Sequence, residues 1–235
     1  MRIDFDQHNL FKSSPADYLS FGSELTSKLS SLVNLDNSNS AEKIRICVKQ
    51  KAAQGDYGVA ILLLDKLIAM TPKNAIDYNN RGLMHFRNDQ IIEALCDLSQ
   101  ALEINPKLDS AYNNRANCYA AQGALSDAIA DYDIALDLNP GNLRAWINQG
   151  ITFRELGMYN LAIENFDIAF IIGNSLEDKI HAERGRTYHL RGDWNCAVSD
   201  YQRALAILEQ KPATSRYERK VSGWLGQLID PLIVD

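Results

Sequence analysis

Tyr78-Asn79-Asn80-Arg81-Gly82 returns 34 residues later as Tyr112-Asn113-Asn114-Arg115-Ala116, and after another 34 as Trp146-Ile147-Asn148-Gln149-Gly150. Pro72, Pro106 and Pro140 keep the same step. With the register set, alanines align at Ala60, Ala94, Ala128, Ala162 and Ala197, and again at Ala101, Ala135, Ala169 and Ala204. Large side chains align at Leu64, Leu98, Tyr132, Phe166 and Tyr201, and glycines at Gly55, Gly123, Gly157 and Gly192. The final copy is displaced by one residue near 173–179, where Asn174 replaces the proline. A fixed period of this length marks a chain of similar small units, none able to bury its apolar face alone.

Each unit holds two segments of about a dozen residues with apolar positions three or four apart, which predicts two helices. Gly82, Ala116 and Gly150 on the first helix, and Ala94, Ala128 and Ala162 on the second, permit close approach of the pair. Gly123 and Gly157 reverse the chain between helices. Pro106 and Pro140 stop the second helix.

Taken together, a bulky residue, Gly or Ala, Tyr, Gly, Ala, an aromatic, Ala and Pro at a 34-residue period resemble the tetratricopeptide repeat family over about residues 41–211. The resemblance implies an all-α fold: a right-handed α-α superhelical solenoid of about five helical hairpins with N- and C-terminal capping helices. The repeats are expected at 41–74, 75–108, 109–142, 143–177 and 178–211. The first is atypical, with Val48 for Gly and Leu67 for Ala, and the second has His85 for Tyr; irregular end repeats suit units that face solvent.

The flanks differ. In 1–40, Ser14-Pro15 is a helix start, and Tyr18, Phe21, Leu25, Leu29 and Leu32 share one face of a helix that precedes a polar linker. Such a helix caps the array, lies in its groove or docks on a partner. In 212–235, Tyr217, Val221, Trp224, Leu225 and Leu228 form the apolar face of a capping helix that ends at Pro231.

Composition narrows the function. The chain has 235 residues, 46% of them hydrophobic, and a net charge of −6; general nucleic-acid binding needs a basic face instead. The N-terminal residues show no signal-peptide pattern, and no apolar run is long enough for an integral membrane segment. Cys47, Cys96, Cys118 and Cys196 form no CxxC pair, so they read as reduced core thiols of a cytoplasmic protein. No phosphate loop, GxSxG or HExxH occurs. His181 and His189 lack partners for a metal set, and Asp131 and Asp133 are expected on the solvated side of a second helix. Neither an enzymatic activity nor a cofactor is expected.

In the family, the first helix of each repeat lines a concave groove, where the resemblance places the candidate site. Asn80, Asn114 and Asn148 share one groove position; Asn79 and Asn113 adjoin two of them, and Asn117 lies a turn beyond Asn113. A carboxamide is both donor and acceptor, so it can pair with a peptide backbone whatever the side chains. Equivalent helices about 10 Å apart would meet about every third residue of a strand rising about 3.3 Å per residue. The bland alternative is that these amides bond within the array. Arg45 and Lys49 at one end, and Arg144, Arg154, Lys179, Arg186 and His189 at the other, suggest basic ends that favour acidic side chains or a free carboxylate. Some family members clamp a C-terminal carboxylate; here Asn114 and Ser110 stand where that clamp needs Arg and Lys, so it is incomplete. The expected function is a scaffold binding a protein or peptide partner. The alternatives are a structural subunit or homo-oligomer working through the convex face or end helices, and an auxiliary factor for assembly of a membrane complex such as a photosystem.

Overall fold

A computed structural model describes residues 40–173, 175–210 and 216–229. The amphipathic helix expected within 1–40 lies outside the described residues, apart from Ser40. The secondary structure among the described residues is helical, in line with the all-α expectation. Two compact units, Met1–Pro106 and Lys107–Asp235, divide the chain. The first contains α1 (Ser40–Ala53), α2 (Tyr57–Met70), α3 (Ala75–Arg87) and α4 (Ile91–Ile104). The second contains α5 (Asp109–Ala121), α6 (Leu125–Leu138), α7 (Leu143–Glu155), α8 (Tyr159–Ile172), α9 (Glu177–Arg191), α10 (Trp194–Leu208) and α11 (Arg216–Ile229). Odd and even helices pair as hairpins, and α11 packs on α10.

The periodic residues make the hairpin core. Ala94, Ala128, Ala162 and Ala197 are fully buried, as are Ala101, Ala135, Ala169 and Ala204. Their small size brings the helices close enough for the large residue between the two alanines to fill the seam. Leu98, Phe166 and Tyr201 are 0% exposed and Tyr132 1%. The approach is so close that a Cβ on Gly82 would stand 2.8 Å from Leu98 Cγ and 3.1 Å from the Ala94 carbonyl oxygen. The first hairpin buries Leu67 in place of the second alanine and packs it with Ile44, Val48, Leu63 and Met84.

Four of the hairpin turns pass through left-handed glycines, with φ of 77° at Gly55, 79° at Gly123, 74° at Gly157 and 94° at Gly192. The second hairpin makes the same turn with Asp89, φ 59°. Helix starts draw on local polar groups: the Asn74 side chain accepts from Ile76 N–H at 3.0 Å, and that of Asn142 from Ala145 N–H at 3.2 Å. At the far end Val221 is buried, and Tyr217, Trp224, Leu225 and Leu228 pack beside it against Ala182, Ala197, Tyr201 and Leu208. That is the apolar face expected of a helix closing the second unit.

Candidate functional site

Helices α5, α7 and α9 contact one another in sequence within the second unit and form its first-helix face. The amide residues on this face are bonded to each other. Asn113 is buried and donates from Nδ2 to Asn114 Oδ1 at 3.3 Å. Asn148 reaches across from α7 and donates to Asn113 Oδ1 at 3.4 Å. In the first unit buried Asn79 donates to Asn80 Oδ1 at 3.5 Å. The outer members, Asn80, Asn114 and Asn148, stay half-exposed. Asn117 differs, for its Oδ1 accepts the Tyr132 hydroxyl at 2.7 Å and ties α5 to α6.

The cations are less uniform than their spacing suggests. Lys49 and Arg144 are exposed. Arg45, from α1, donates to Asp77 Oδ2 at 2.9 Å, and Asp77 is fully buried. Arg154 is 9% exposed at its side chain and donates from Nη1 to Glu183 Oε2 at 2.6 Å and from Nη2 to Glu155 at 3.2 Å. Two of the arginines proposed for the basic ends are thus paired with carboxylates, because a half-buried guanidinium needs one to offset its lost hydration. Burial alone would raise the Glu183 carboxyl, but Arg154's charge and hydrogen bond hold it below its usual range, aided by Lys179. The Tyr217 hydroxyl of α11 donates to Glu183 Oε1 at 3.1 Å, and burial and that carboxylate push the phenol far up. Arg154, Glu183 and Tyr217 thus join α7, α9 and α11. Arg154 Nε is buried without a hydrogen-bond partner among the described residues.

Arg186 stands about one turn and His189 nearly two turns beyond Glu183. Arg186 Nη1 lies 3.4 Å from His189 Nδ1, and the Tyr201 hydroxyl is also 3.4 Å from that nitrogen. With two donors converging on it, Nδ1 is the acceptor and the ring proton sits on Nε2. Burial and Arg186's charge push His189 below its usual value, so the ring is neutral at pH 7.

Sequence reasoning missed a second polar series. Arg81 donates to Asp97 from both Nε and Nη2, at 2.7 and 2.6 Å, and to Asp65 at 2.7 Å. Arg115 grips Asp131 at 2.7 and 2.9 Å, and Arg184 grips Asp200 at 2.8 and 2.9 Å. Asp131, expected on the solvated side, is 5% exposed, because its place on α6 turns back toward α5. In the fourth hairpin both partners are neutral: Asn165 donates to Gln149 Oε1 at 2.8 Å. The signal was present in the chain, since Arg81 and Asp97, Arg115 and Asp131, and Gln149 and Asn165 all stand 16 residues apart.

His181 is buried and bonded to Asp200 at 2.9 Å, away from the His189 contacts. Among the described residues no three His, Cys, Asp or Glu side chains gather as a metal set, and no helix is long and apolar enough to cross a membrane. A surface cleft of about 820 Å³ in the first unit, lined by Thr71, Lys73, Ile76 and Ile104 among others, includes none of the candidate residues.

Residues 110–142 match the tetratricopeptide repeat family model. No curated protein matches the chain. Among solved structures, the chain is similar to TTC0263, a thermophilic tetratricopeptide repeat protein of Thermus thermophilus, with a TM-score of 0.67, 16% identity, and 80% of this chain and 98% of that chain covered. It is similar to MamA, with a TM-score of 0.57, 20% identity, and coverage of 74% of this chain and 94% of that one. It also matches a chain of the Cut9–Hcn1 hetero-tetramer of the APC/C, with a TM-score of 0.71 and 18% identity, over 89% of this chain and 39% of that one. At these identities the likeness is one of fold.

Proposed function

We propose that the chain, whose residues 110–142 match the tetratricopeptide repeat model, is a non-enzymatic interaction scaffold that holds a partner protein by an extended segment laid on its first-helix faces. The observation that carries this reading is the repeated amide: Asn80, Asn114 and Asn148 occupy one register position on successive first helices and remain half-exposed. Each carboxamide can accept from a peptide N–H and donate to a peptide C=O. The Asn113–Asn114 and Asn148–Asn113 bonds hold the outer amides in fixed orientations, which lowers the entropy lost when a ligand binds. Between α5 and α7 such rungs, about 10 Å apart, match about three residues of extended chain. The face reads a backbone first, and side chains only where a charge is left unmatched. Four free cysteines suit a reducing compartment, and our reading places the scaffold in the cytoplasm.

The test is affinity capture from the native organism with the full chain and with an Asn80→Ala, Asn114→Ala, Asn148→Ala triple variant, after matched circular dichroism melts. Loss of the captured protein from the variant is expected. Equal recovery by a folded variant would remove the amides from the binding face.

A further inference from the structure

Six arginines of the described chain are half-buried: Arg45, Arg81, Arg115, Arg154, Arg184 and Arg186. Five of them hold a carboxylate, namely Asp77, Asp97, Asp131, Glu183 and Asp200 in that order. Arg186 is the exception: no carboxylate among the described residues pairs with it. Its direct contacts are neutral. Gln227 Oε1 is 3.5 Å from Nη1, His189 Nδ1 is 3.4 Å away, and the Trp224 ring lies under the guanidinium at 5.4 Å. A partly desolvated cation with only neutral acceptors is costly, and elsewhere this fold does not tolerate one. A second cation faces the same ring: Lys220 Nζ is 5.2 Å from its centroid, and it too has no carboxylate among the described residues.

Resting on the scaffold reading above, we propose that the seam between α9 and α11 receives an acidic group of the bound segment, which supplies the carboxylate that Arg186 lacks among the described residues. The carboxylate accepts from the Arg186 guanidinium beside the Trp224 ring, which Lys220 also contacts. Glu183 does not fill this role, because both its oxygens are engaged, one by Arg154 and the other by Tyr217. His189 does not compete for the anion: it is neutral, and its Nδ1 accepts from the protein side. The recognition element is therefore a single anion at the end of an amide-lined face. The carboxylate can come from an Asp or Glu side chain or from the partner's own C-terminus, and the chemistry is the same.

Fluorescein-labelled peptide mixtures about nine residues long, about 30 Å when extended and so longer than the two helix spacings from α5 to α9, serve as probes for the full chain in anisotropy titrations. One mixture carries a central Glu, randomised flanks and a C-terminal amide. A second has Gln instead of Glu, and a third has Gln with a free C-terminal carboxylate. The Glu or the free-acid mixture is expected to bind about tenfold tighter than the amidated Gln mixture, the size of one charge-assisted contact, and whichever does so identifies the source. Arg186→Gln with Lys220→Gln should reduce the gap to under about twofold, while Arg186→Lys keeps part of it. Equal binding of all three mixtures to the wild type overturns the proposal, and so does an unchanged gap in a folded Arg186→Gln variant. The scaffold reading is judged separately: Asn114→Ala with Asn148→Ala should weaken every mixture alike. Failure of every mixture to bind the wild type would count against both.

Discussion

Replacing Glu183 by alanine removes the carboxylate at the junction of α7, α9 and α11. Two groups are then stranded. Arg154, 9% exposed at its side chain, keeps Glu155, which is 39% exposed and 3.2 Å away, and the backbone carbonyl of residue 183 at 3.4 Å. The Tyr217 hydroxyl loses its acceptor at 3.1 Å. Breaking a buried pair from one side costs about 3–5 kcal/mol, and the surviving Glu155 contact argues for the lower figure. At about 3 kcal/mol the melting temperature should fall by about 6–12 °C for a domain of this size. Urea unfolding should be followed by both helical circular dichroism and tryptophan fluorescence, because Trp224 packs in the same cluster and reports on the closing helix. In a repeat array the closing helix can detach before the rest, so the fluorescence transition should shift more than the circular dichroism transition. The pH dependence follows from the lowered Glu183 value. Its folded pKa lies below the ordinary 4.5, so the pair contributes fully above about pH 4.5 and fades as pH falls through the folded value. The gap between wild type and variant should thus shrink in acid. An Arg154→Met, Glu183→Leu double variant should regain much of the loss, since the pair owes its value to mutual compensation of two buried charges. A loss under about 0.5 kcal/mol for Glu183→Ala, within the range of an ordinary surface substitution, would refute the account of this junction.

Other outcomes follow from the same packing and charges. Gly82→Ala places a Cβ 2.8 Å from Leu98 Cγ, so it should lower stability by about 1–3 kcal/mol despite alanine's helix preference, read by chemical denaturation. Asp89→Gly should raise stability by about 0.5–1 kcal/mol in the same assay, since glycine occupies the left-handed turn without a Cβ penalty. Arg115→Met leaves Asp131 buried without its guanidinium and should cost about 3 kcal/mol; adding Asp131→Asn should recover part of that. Thiol titration of the native chain should find Cys96 and Cys196 reactive and Cys118 silent, since the first two are exposed, unlike the core thiols expected from sequence, and burial pushes the Cys118 thiol up to about 12. Fast labelling of Cys118 would contradict its burial in α5.

The legible part of this protein is the part that depends on repetition. Small residues at Ala94, Ala128 and Ala162 mean close helices wherever they occur, and the period alone shows that they recur on the same face. The cap face of Tyr217, Val221 and Trp224 was readable for the same reason, as helical spacing places those side chains together. The site was legible only as positions. Asn80, Asn114 and Asn148 share a register that the chain displays, yet whether their amides point outward or bond among themselves depends on neighbouring helices.

The charged residues mark the boundary between the two levels. Spacing treats Arg45, Arg154 and Arg186 alike, as three cations on first helices. Their fates separate because a carboxylate must arrive from a distant segment, and it does so from Asp77 for Arg45 and from Glu183 for Arg154, but, among the described residues, not for Arg186. Asp131 changes place by the same logic: it looks solvated along α6 and is buried because Arg115 meets it from α5. Sequence by itself determined which side chains recur, since helical periodicity is a local property. Tertiary structure alone decided which charges are cancelled, because ion pairing depends on distances of a few ångströms between segments far apart in the chain.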